Sequence, residues 1–304
     1  MDSSSPTLIL DNVSKSFGDF KAVSDLSLQV KPGRVFGLIG PNGAGKTTTI
    51  RMIVNITAPD TGTIKLFGKS MTTALQDHIG YLPEERGLYR KMKVGEQLRF
   101  FAELKDLPSR EADKRIDAWL RKLQLSDWKD KRAKDLSKGM QQKIQFIASV
   151  IHEPDLLILD EPFSGLDPVS VDLMKETILD QKTSGKTIIL STHQMEIAER
   201  LCDDICMINK SRKVFDGQLR EVRRSFAQNV VALRVEGADG LLNDPELITN
   251  VRQNGDDTEV LLTADASPQV LLKRLVDANV KISKFELVEP TLHDIFVARV
   301  KESA

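Results

Sequence analysis

The stretch "VFGLIGPNGAGKTT" (35–48) decides the fold, because it joins a short apolar strand to a loop that matches the pattern G-x-x-x-x-G-K-[ST]. A chance match in a chain of this length has a probability on the order of 1% at average composition. In such a loop, glycines allow backbone N–H groups to surround the β- and γ-phosphates of a nucleotide. Lys46 would neutralise the phosphate charge, and the hydroxyl of Thr47 would bind Mg²⁺. The pattern therefore predicts a phosphate-binding loop between this strand and the helix that begins with "KTTTIRMIV".

Two further apolar runs extend the first strand into a sheet. They are "LLILD" (156–160) and "TIILST" (187–192), which are short and end in small or polar side chains. This pattern is typical of strands that are buried on both faces of a parallel sheet. Helical patterns follow the first and the last of the three runs, as in an α/β core. Residues 7–34 alternate between apolar and polar positions, which predicts an antiparallel strand pair beside the core.

The rest of the chain divides into a helical insert and a second domain. Helical periodicity with many Lys, Glu, Leu and Arg residues predicts the insert over about residues 95–150. Residues 217–230 are predicted to form a helical linker that leaves the core. Beyond it, the predicted order is strand, short helix, two strands, helix and strand, which is the order of a ferredoxin-like α+β layer. We predict a first domain of residues 1–222 and a small C-terminal domain of residues 223–304.

Composition limits the classes of function. The 304 residues are 40% hydrophobic and 29% charged, which is typical of a globular protein with a substantial core. The 43 basic and 44 acidic residues give a net charge of −1, so no overall charge favours a nucleic-acid partner. The longest apolar runs are strand-sized, well below the roughly 20 residues needed to span a bilayer. The N-terminus lacks a signal-peptide pattern and Cys202 and Cys206 lack metal-site spacing, so we expect a cytosolic chain with reduced, packed cysteines.

Acidic and imidazole side chains follow the two later strands. In "LLILDEP" (156–162), the strand delivers Asp160 to the carboxyl edge of the sheet, where it would hold Mg²⁺ through water. Glu161 follows and is placed to orient or deprotonate an attacking water. His193, at the end of "IILSTH", would contact a γ-phosphate from the same edge. Taken alone, these residues would suit an acidic turn and a structural histidine, and it is the phosphate loop that favours the catalytic interpretation.

A second anion site is predicted near the start of "RAKDLSKGMQQKIQFIASVI" (132–151). Ser137 and Gly139 come just before an apolar helical face and supply a hydroxyl and a backbone position without a side chain. A helix N-terminus attracts anions through its free N–H groups and the positive end of its dipole. An ordinary N-cap is the simpler interpretation of the same residues.

Five motifs occur in an order and spacing that identify a family. They are "GPNGAGKTT", "LSKGMQQ", "LLILDEP", "SGLDP" (164–168) and "STH" (191–193). Over about residues 7–220, the combination resembles the ATP-binding (nucleotide-binding) subunit of an ABC transporter. The resemblance implies an α/β P-loop NTPase fold, with a RecA-like core, an antiparallel β subdomain and a helical insert, and it implies ATP and Mg²⁺ as cofactors.

Other motifs narrow the resemblance. "IGYLPEERGLY" (79–89), "LSKGM" and "EPTLHDIFVARV" (289–300) are similar to the ATPase subunits of ABC-2-type exporters, including the sodium-extrusion group, which carry a small C-terminal accessory domain. The chain departs from the family pattern at three positions. Glu84 occupies the place of a glutamine that senses Mg²⁺ and contacts the membrane partner. Lys138 and Met140 replace the second glycine and the glutamine of the commonest signature sequence.

The resemblance and the motifs together predict the site residues. Phe17 resembles the aromatic residue that stacks on adenine, the segment Ser164 to Asp167 resembles the loop that communicates between two nucleotide sites, and His193 resembles the switch histidine. The predicted catalytic residues are Glu161, His193 and Glu84. The predicted metal ligands are Thr47, Asp160 and Glu84. The residues predicted to contact the nucleotide are Phe17, Gly40, Pro41, Asn42, Gly43, Ala44, Gly45, Lys46, Thr47, Thr48, Ser137, Gly139 and Asp167.

The resemblance also implies how the protein assembles. In this family two subunits meet head to tail, and each signature helix caps the γ-phosphate that the other subunit's phosphate loop binds. We therefore expect Ser137 to contact the ATP of a second copy in an ATP-dependent homodimer. The pair would power a separate transmembrane permease from the cytoplasmic, inner face of the cell membrane. Residues 85–101, "ERGLYRKMKVGEQLRFF", are the predicted docking surface, although a solvated loop and an amphipathic helix face are the simpler interpretation.

Two other functions are alternatives to this prediction. One is a soluble ABC ATPase of translation, repair or cluster assembly, but the chain has one cassette and no sustained heptads. The other is a regulatory module that senses a ligand through residues 225–304, but the catalytic positions are intact. The transported substrate would be selected by the membrane partner and is not encoded in this chain.

Overall fold

The structure, a computed structural model, describes residues 5–85, 87–226, 230–236, 240–263 and 266–302. It divides into two compact units, Met1–Leu219 and Arg220–Ala304. Each unit has its own sheet structure and its own buried core. The predicted domain boundary after residue 222 stays a prediction. Within the described residues, no helix is both long and apolar enough to cross a bilayer.

Strands and helices alternate along much of the chain. The strands of the first unit are β1 (Leu8–Phe17), β2 (Phe20–Val30), β3 (Val35–Ile39), β4 (Thr61–Leu66), β5 (Lys69–Ser70), β6 (Ile79–Leu82), β7 (Leu156–Asp160), β8 (Thr187–Thr192), β9 (Asp204–Asn209) and β10 (Arg212–Gln218). Its helices are α1 (Lys46–Ile53), α2 (Val94–Glu103), α3 (Ser109–Lys122), α4 (Lys138–Val150), α5 (Pro168–Thr183) and α6 (Met195–Leu201). Short 3-10 helices cover Thr73–His78, Ser126–Trp128 and Ala133–Asp135. Then follow α7 (Leu219–Ser225), β11 (Val230–Glu236), β12 (Ile248–Asn254), β13 (Asp257–Leu262), α8 (Pro268–Asp277), β14 (Lys281–Leu287) and α9 (Leu292–Glu302).

A six-stranded sheet forms the centre of the first unit, in the order β10-β9-β3-β8-β7-β6. Neighbours from β9 to β6 are parallel, and β10 closes one edge by antiparallel pairing with β9. Every residue of β3, β7 and β8 is buried, as expected for apolar runs that are covered on both faces. The three strands predicted from their apolar runs are therefore confirmed as the middle of a parallel sheet.

An antiparallel sheet packs beside the central one, in the order β2-β1-β4-β5. The pairing of β1 with β2 confirms the strand pair predicted over residues 7–34, and β4 and β5 extend it. Apolar side chains from this sheet, the central sheet and α1 share one core, which includes Leu10, Leu26, Leu38, Ile50 and Ile158. Because interiors are packed tightly, this shared core holds the loop between β3 and α1 in one place.

Helices α2, α3 and α4 form the predicted helical insert. Ala112, Ile116 and Leu120 are buried at four-residue spacing on α3, as in an amphipathic helix that packs by one face. On the same helix, Trp119 meets Phe146 of α4 edge to face, with ring centroids 6.0 Å apart. Helix α4 also packs on β6, so it belongs both to the insert and to the edge of the central sheet.

The second unit is a four-stranded antiparallel sheet, in the order β12-β13-β11-β14, accompanied by α8 and α9. This strand order is that of the predicted ferredoxin-like layer. The short helix predicted between its first two strands is wrong, because residues 240–247 form turns before β12 begins. Asn243, Asp244 and Pro245 favour turns, and the carboxylate of Asp244 accepts the backbone N–H of Glu246 (2.9 Å).

The connection between the units is helical in part. The predicted linker helix over residues 217–230 is observed only as α7, and residues 227–229 lie outside the described residues. Within the second unit, the guanidinium of Arg223 on α7 donates from Nε to the carbonyl of Pro290 (3.1 Å) and pairs with the carboxylate of Glu289 (3.4 Å). The end of α7 is therefore attached to the loop before α9.

The two cysteines are packing residues, as predicted from their spacing. Both are free and buried. Burial raises the pKa of both thiols, because a thiolate would lose its hydration there. Cys206 lies in the shared core, and Cys202 borders β3 so closely that a Cβ added at Gly37 would lie 2.8 Å from its Sγ.

The substitution Gly80→Ala on β6 tests how tightly the central sheet packs on α4. A Cβ added there would lie 2.1 Å from the carbonyl oxygen of Ser149 and 2.7 Å from Cγ of Pro154, so Gly80→Ala must displace backbone. We expect this substitution to lower the free energy of unfolding by about 1–3 kcal/mol, as measured by urea titration. Gly87→Ala is the control, because, apart from its chain neighbours, no atom of the described residues lies within 4 Å of the added methyl. Equal unfolding midpoints for the two variants would contradict the packing described here.

Candidate functional site

The predicted phosphate-binding loop leaves β3 and enters α1. Gly45 caps the helix with φ = +110°, and a Cβ added there would lie 2.4 Å from the carbonyl oxygen of Ala22. Only glycine fits this position, since both the backbone conformation and the space exclude a side chain. The first N–H groups of α1 have no partner within the helix, so this end of the helix suits an anion.

Lys46 at the start of α1 is buried with its ammonium turned toward the loop. Its Nζ donates to the carbonyls of Gly40 (2.8 Å) and Pro41 (3.1 Å) and lies 3.9 Å from Oε1 of Glu161. Burial lowers the pKa of Lys46, and the carboxylates of Glu161 and Asp160 oppose that shift. A bound phosphate would favour the charged ammonium in the same way as these carboxylates.

Asp160 ends β7 with both carboxylate oxygens buried and without a hydrogen-bond partner among the described residues. Burial raises the pKa of Asp160, and the nearby hydroxyls of Ser191 and Thr47 lower it only in part, since neither reaches hydrogen-bond geometry with the carboxylate. A carboxylate in this position is stabilised by a cation, so the orphaned oxygens fit a magnesium ion. Mg²⁺ is usually held by one or two protein groups together with waters and substrate phosphates, for which Asp160 and Thr47 are suitable.

Glu161 and His193 meet at the carboxyl ends of β7 and β8. Oε1 of Glu161 accepts the backbone N–H of His193 (2.9 Å) and lies 2.8 Å from its ring Nδ1. Oε2 accepts the hydroxyl of Thr192 (3.3 Å). The backbone of Glu161 is left-handed, with φ = +48°, a conformation that stores strain and is common at functional sites. A buried carboxylate that is held in this way and keeps free lone pairs can accept a proton from water.

A cavity of about 360 Å³ brings these groups together. Its lining is formed by Phe20, Ala22, Asn42, Gly43, Gly45, Lys46, Thr47, Thr48, Glu84 and Glu161. Part of the predicted phosphate loop therefore shares one space with Glu84 and Glu161. Of the predicted site residues, Gly40, Pro41, Ala44, Asp160 and His193 lie outside the described lining. Glu84 is exposed at the rim, in the loop after β6.

Phe20 is the aromatic side chain in the described lining of this cavity, and contact of Phe17 with adenine stays a prediction. The two residues pair across the turn between β1 and β2, and both rings are exposed. Phe17 is absent from the described lining of the cavity, and Nζ of Lys15 lies 5.7 Å from the centre of its ring. Sequence reasoning missed Phe20, although the segment "SFGDF" already offered two aromatic candidates.

Ser137, Gly139 and Asp167 do not belong to the described lining of this cavity. Ser137 caps α4 by accepting the N–H of Met140 (3.2 Å). A Cβ added at Gly139 would lie 3.2 Å from the carbonyl oxygen of Gly165, so the start of α4 borders the "SGLDP" loop. The carboxylate of Asp167 caps α5 by accepting the N–H of Ser170 (2.9 Å), and this bond lowers the pKa of Asp167.

Gln142 on α4 is a site neighbour that sequence reasoning missed. Its buried amide Nε2 lies 3.3 Å from the carbonyl oxygen of Pro162 and 3.5 Å from that of Glu161. The side chain therefore attaches α4 to the turn that carries Glu161. A hydrophobic pattern assigns glutamine to the surface of a helix, even where the structure buries it. Only its position within "LSKGMQQ" could have indicated that Gln142 lies near the site.

A second concave region lies between β6, α2 and α4. Its volume is about 300 Å³, and its lining is Val54, Ile56, Gln76, Ile79, Tyr81, Phe101, Leu104, Lys105, Ala148, Ser149 and His152. Phe101 also belongs to an aromatic cluster, in which its ring centre lies 6.2 Å from that of Tyr89 and 5.8 Å from that of Phe100. The predicted docking segment 85–101 therefore borders this groove, except that Arg86 lies outside the described residues.

Two family models match the chain. The model for the ABC transporter family matches residues 23–164. The model for the C-terminal domain of ATP-binding proteins like DrrA1-3 matches residues 217–300. The two matches fall on the part of the chain with the phosphate loop and on the four-stranded antiparallel layer.

Several ABC transporter ATP-binding proteins are similar to this chain. It is 44% identical to the uncharacterized ABC transporter ATP-binding protein YhaQ of Bacillus subtilis, over 96% of this chain and 98% of the relative. It is 40% identical to Nod factor export ATP-binding protein I of Cupriavidus metallidurans, over 71% of this chain and 72% of the relative. A solved structure of an ATP-binding subunit of an ABC transporter aligns with a TM-score of 0.68 and 33% identity, over 72% of this chain and 93% of the other.

Glu161→Gln tests the carboxylate at the centre of the site. We expect ATP hydrolysis to fall by at least about 100-fold, because an amide cannot accept the proton of the attacking water. ATP binding, measured by equilibrium titration, should persist, because the phosphate loop is unchanged. Glu176→Gln is the matched control, since that exposed carboxylate lies on α5 and outside the cavity lining. Hydrolysis by Glu161→Gln at the parental rate would exclude Glu161 as the proton acceptor.

Proposed function

This chain belongs to the ABC transporter ATP-binding proteins, whose ATP-binding domains are ATPases, and we propose that it powers a separate transmembrane permease in export. The observation that carries the proposal is the convergence of the phosphate loop, Lys46 and Glu161 on one cavity. Two copies would close on ATP in a head-to-tail pair and open after hydrolysis. The pair would act from the cytoplasmic side of the membrane, where ATP is available.

The chemistry proposed for the cavity follows from its charges. The N–H groups of α1 and the ammonium of Lys46 would bind the phosphates of ATP, and Glu161, oriented by His193, would take a proton from water. As that proton moves to Glu161, the water oxygen bonds to the γ-phosphorus and the bond to the bridging oxygen breaks, which releases ADP and phosphate. A magnesium ion held by Thr47 and Asp160 would neutralise charge on the phosphates.

Glu84 is proposed to act at the rim of the same cavity. Its carboxylate raises the pKa of Lys46 by Coulombic attraction, although less strongly than Glu161 and Asp160 do. A carboxylate there can contact a magnesium ion directly or through water. The same negative charge repels the phosphates, so Glu84 would contribute to binding mainly when the metal is present.

The proposed homodimer would supply the phosphate cavity with the predicted anion-binding residues that its own chain does not place there. Ser137 and Gly139 do not belong to its described lining, although the start of α4 offers free N–H groups for an anion. A second copy placed head to tail would bring its α4 to the γ-phosphate in this cavity. Each ATP would then be bound by the phosphate loop of one copy and by Ser137 of the other.

The proposed permease contact uses the groove between β6, α2 and α4 and the aromatic cluster beside it. Ile56 and Leu104 at the groove are 61% and 63% exposed, and Tyr89 in the aromatic cluster beside it is 54% exposed, so large apolar side chains face solvent together here. We call Ile56, Tyr89, Phe100, Phe101 and Leu104 the docking surface. A helix with one apolar face, presented by the permease at the membrane boundary, is the partner that this surface suits.

The export direction rests on two similarities. One relative is named for Nod factor export, and the C-terminal unit matches the domain of ATP-binding proteins like DrrA1-3. Neither similarity identifies the molecule that is moved. The permease would select it, since it would line the path through the membrane.

A mixed dimer tests the head-to-tail site. One copy carries Lys46→Ala, which removes the phosphate-binding ammonium, and the other carries Ser137→Arg, which blocks the start of α4; both also carry Glu161→Gln. If each site is shared between copies, both lesions fall in one site and the other site is intact. We therefore expect the mixed dimer to trap ATP in a filter-binding assay and each homodimer to trap almost none.

The control for the mixed dimer is proof that both chains are present, by two affinity tags purified in sequence. Binding is measured rather than turnover, because turnover can require both sites at once. A verified mixed dimer that traps no more ATP than either homodimer would rule out sharing of the site.

Tyr89→Asp tests the docking surface. We expect an adjacent gene to encode a membrane protein with about six spans, and the tagged chain to copurify with that protein after co-expression. A charge at Tyr89 should abolish copurification, because it places a carboxylate at an apolar contact. Val276→Asp is the control, since Val276 is similarly exposed but lies on α8 of the second unit. Unchanged copurification of Tyr89→Asp would place the permease contact elsewhere.

A further inference from the structure

Two buried glutamines bind the two ends of the loop that runs from the nucleotide cavity to the docking surface. Gln145 on α4 donates its amide to the carbonyl of Glu85 (3.2 Å), and the amide oxygen of Gln97 on α2 accepts the N–H of Tyr89 (2.6 Å). The neighbour of Glu85, Glu84, lines the cavity. The chain between the two sites is therefore attached to the helical insert at both of its ends.

Packing alone does not account for glutamine at these positions. Gln97 is 0% exposed and Gln145 is 6% exposed. Nε2 of Gln97 and Oε1 of Gln145 have no hydrogen-bond partner among the described residues, which do not include Arg86. A buried polar atom without a partner destabilises a fold, and an apolar side chain of the same length would avoid that penalty. What an apolar side chain would lack is the hydrogen bond to the loop.

Helix α4 connects these contacts to the rest of the site. Gln145 lies about 12 Å along the helix from the Ser137 cap, at 1.5 Å per residue. Gln142, three residues before Gln145 and on the same face, reaches the carbonyl of Pro162 beside Glu161 (3.3 Å). A helix of this length moves as one body. A displacement of its first turn would therefore shift the carbonyl that Gln145 binds.

We propose that Gln97 and Gln145 are positioning residues that couple the nucleotide cavity to the docking surface. They lie outside the described lining of the nucleotide cavity and act through the backbone at Glu85 and Tyr89, so that the loop follows the insert when ATP binds. The inference rests on the proposed function, because it takes the docking surface as the place where a permease detects the nucleotide state.

Hydrogen–deuterium exchange of the full chain tests the coupling. The parent carries Glu161→Gln so that ATP is retained, and exchange is measured with and without MgATP. We expect MgATP to slow exchange of residues 87–101 in the parent by about threefold or more. Gln145→Met and Gln97→Met keep the length of the side chain but remove its amide. Each should lose this response while its Kd for ATP stays within about twofold of the parental value.

Gln76→Met is the matched control. Gln76 also donates to a backbone carbonyl, that of Val54 (3.0 Å), and lines the groove without binding the loop at Glu85 or Tyr89. Its variant should keep the parental response to ATP. Because Gln97 and Gln145 lie on different helices, one variant still provides the test if the other fails to fold, as checked by circular dichroism.

Three results would overturn the inference. The first is a parental ATP response in folded Gln145→Met and Gln97→Met. The second is a parent whose exchange over residues 87–101 does not respond to ATP, because then no signal crosses the loop. The third is a large loss of ATP affinity in both variants, which would make the glutamines part of the binding site. No permease is used, so a failure of copurification would contradict the proposed function without deciding this test.

Discussion

At the carboxyl ends of β3 and β7, one ammonium and two carboxylates lie almost completely out of water. Nζ of Lys46 is 3.9 Å from Oε1 of Glu161, and the oxygens of Asp160 have no hydrogen-bond partner in the described part of the chain. Buried charges are unfavourable unless partners and hydrogen bonds compensate them. Carbonyls of the loop and the hydrogen bonds from Thr192 and His193 supply part of that compensation. An anion beside Lys46 and a cation beside Asp160 would complete it, so the site is most favourable when both are bound.

The surrounding fold explains how such a cluster is kept in place. The three central strands are buried along their whole length, so their ends cannot shift without opening the core. The insert is attached to this edge by the packing of α4 on β6 and by hydrogen bonds from the glutamines Gln142 and Gln145 on α4. The molecule thus combines a buried charged centre with a helical layer that is attached to it by both packing and hydrogen bonds.

The sequence predicted the parts of the structure that depend on local pattern. The apolar runs gave the correct central strands, because strands covered on both faces need continuous apolar residues. The loop pattern located the cavity, because glycines and a lysine at this spacing form a phosphate-binding loop. The helix predicted before β12 failed because Asp244 and Pro245 favour a turn over the helical pattern around them. Phe20 was missed because a hairpin sequence does not reveal which of its rings lines the cavity. Buried glutamines such as Gln145 were missed because periodicity counts them as surface residues.

The burial of both cysteines makes this chain suitable for spectroscopic labelling without preparatory mutagenesis. Thiol reagents attack thiolates that solvent can reach. Cys202 and Cys206 are the only cysteines of the chain, they are enclosed by the core, and their raised pKa keeps them protonated at neutral pH. A single cysteine introduced on the surface would therefore carry a spin label or a fluorophore by itself. Distances between such labels, measured in solution, would report the arrangement of two copies, because the native thiols would remain unlabelled.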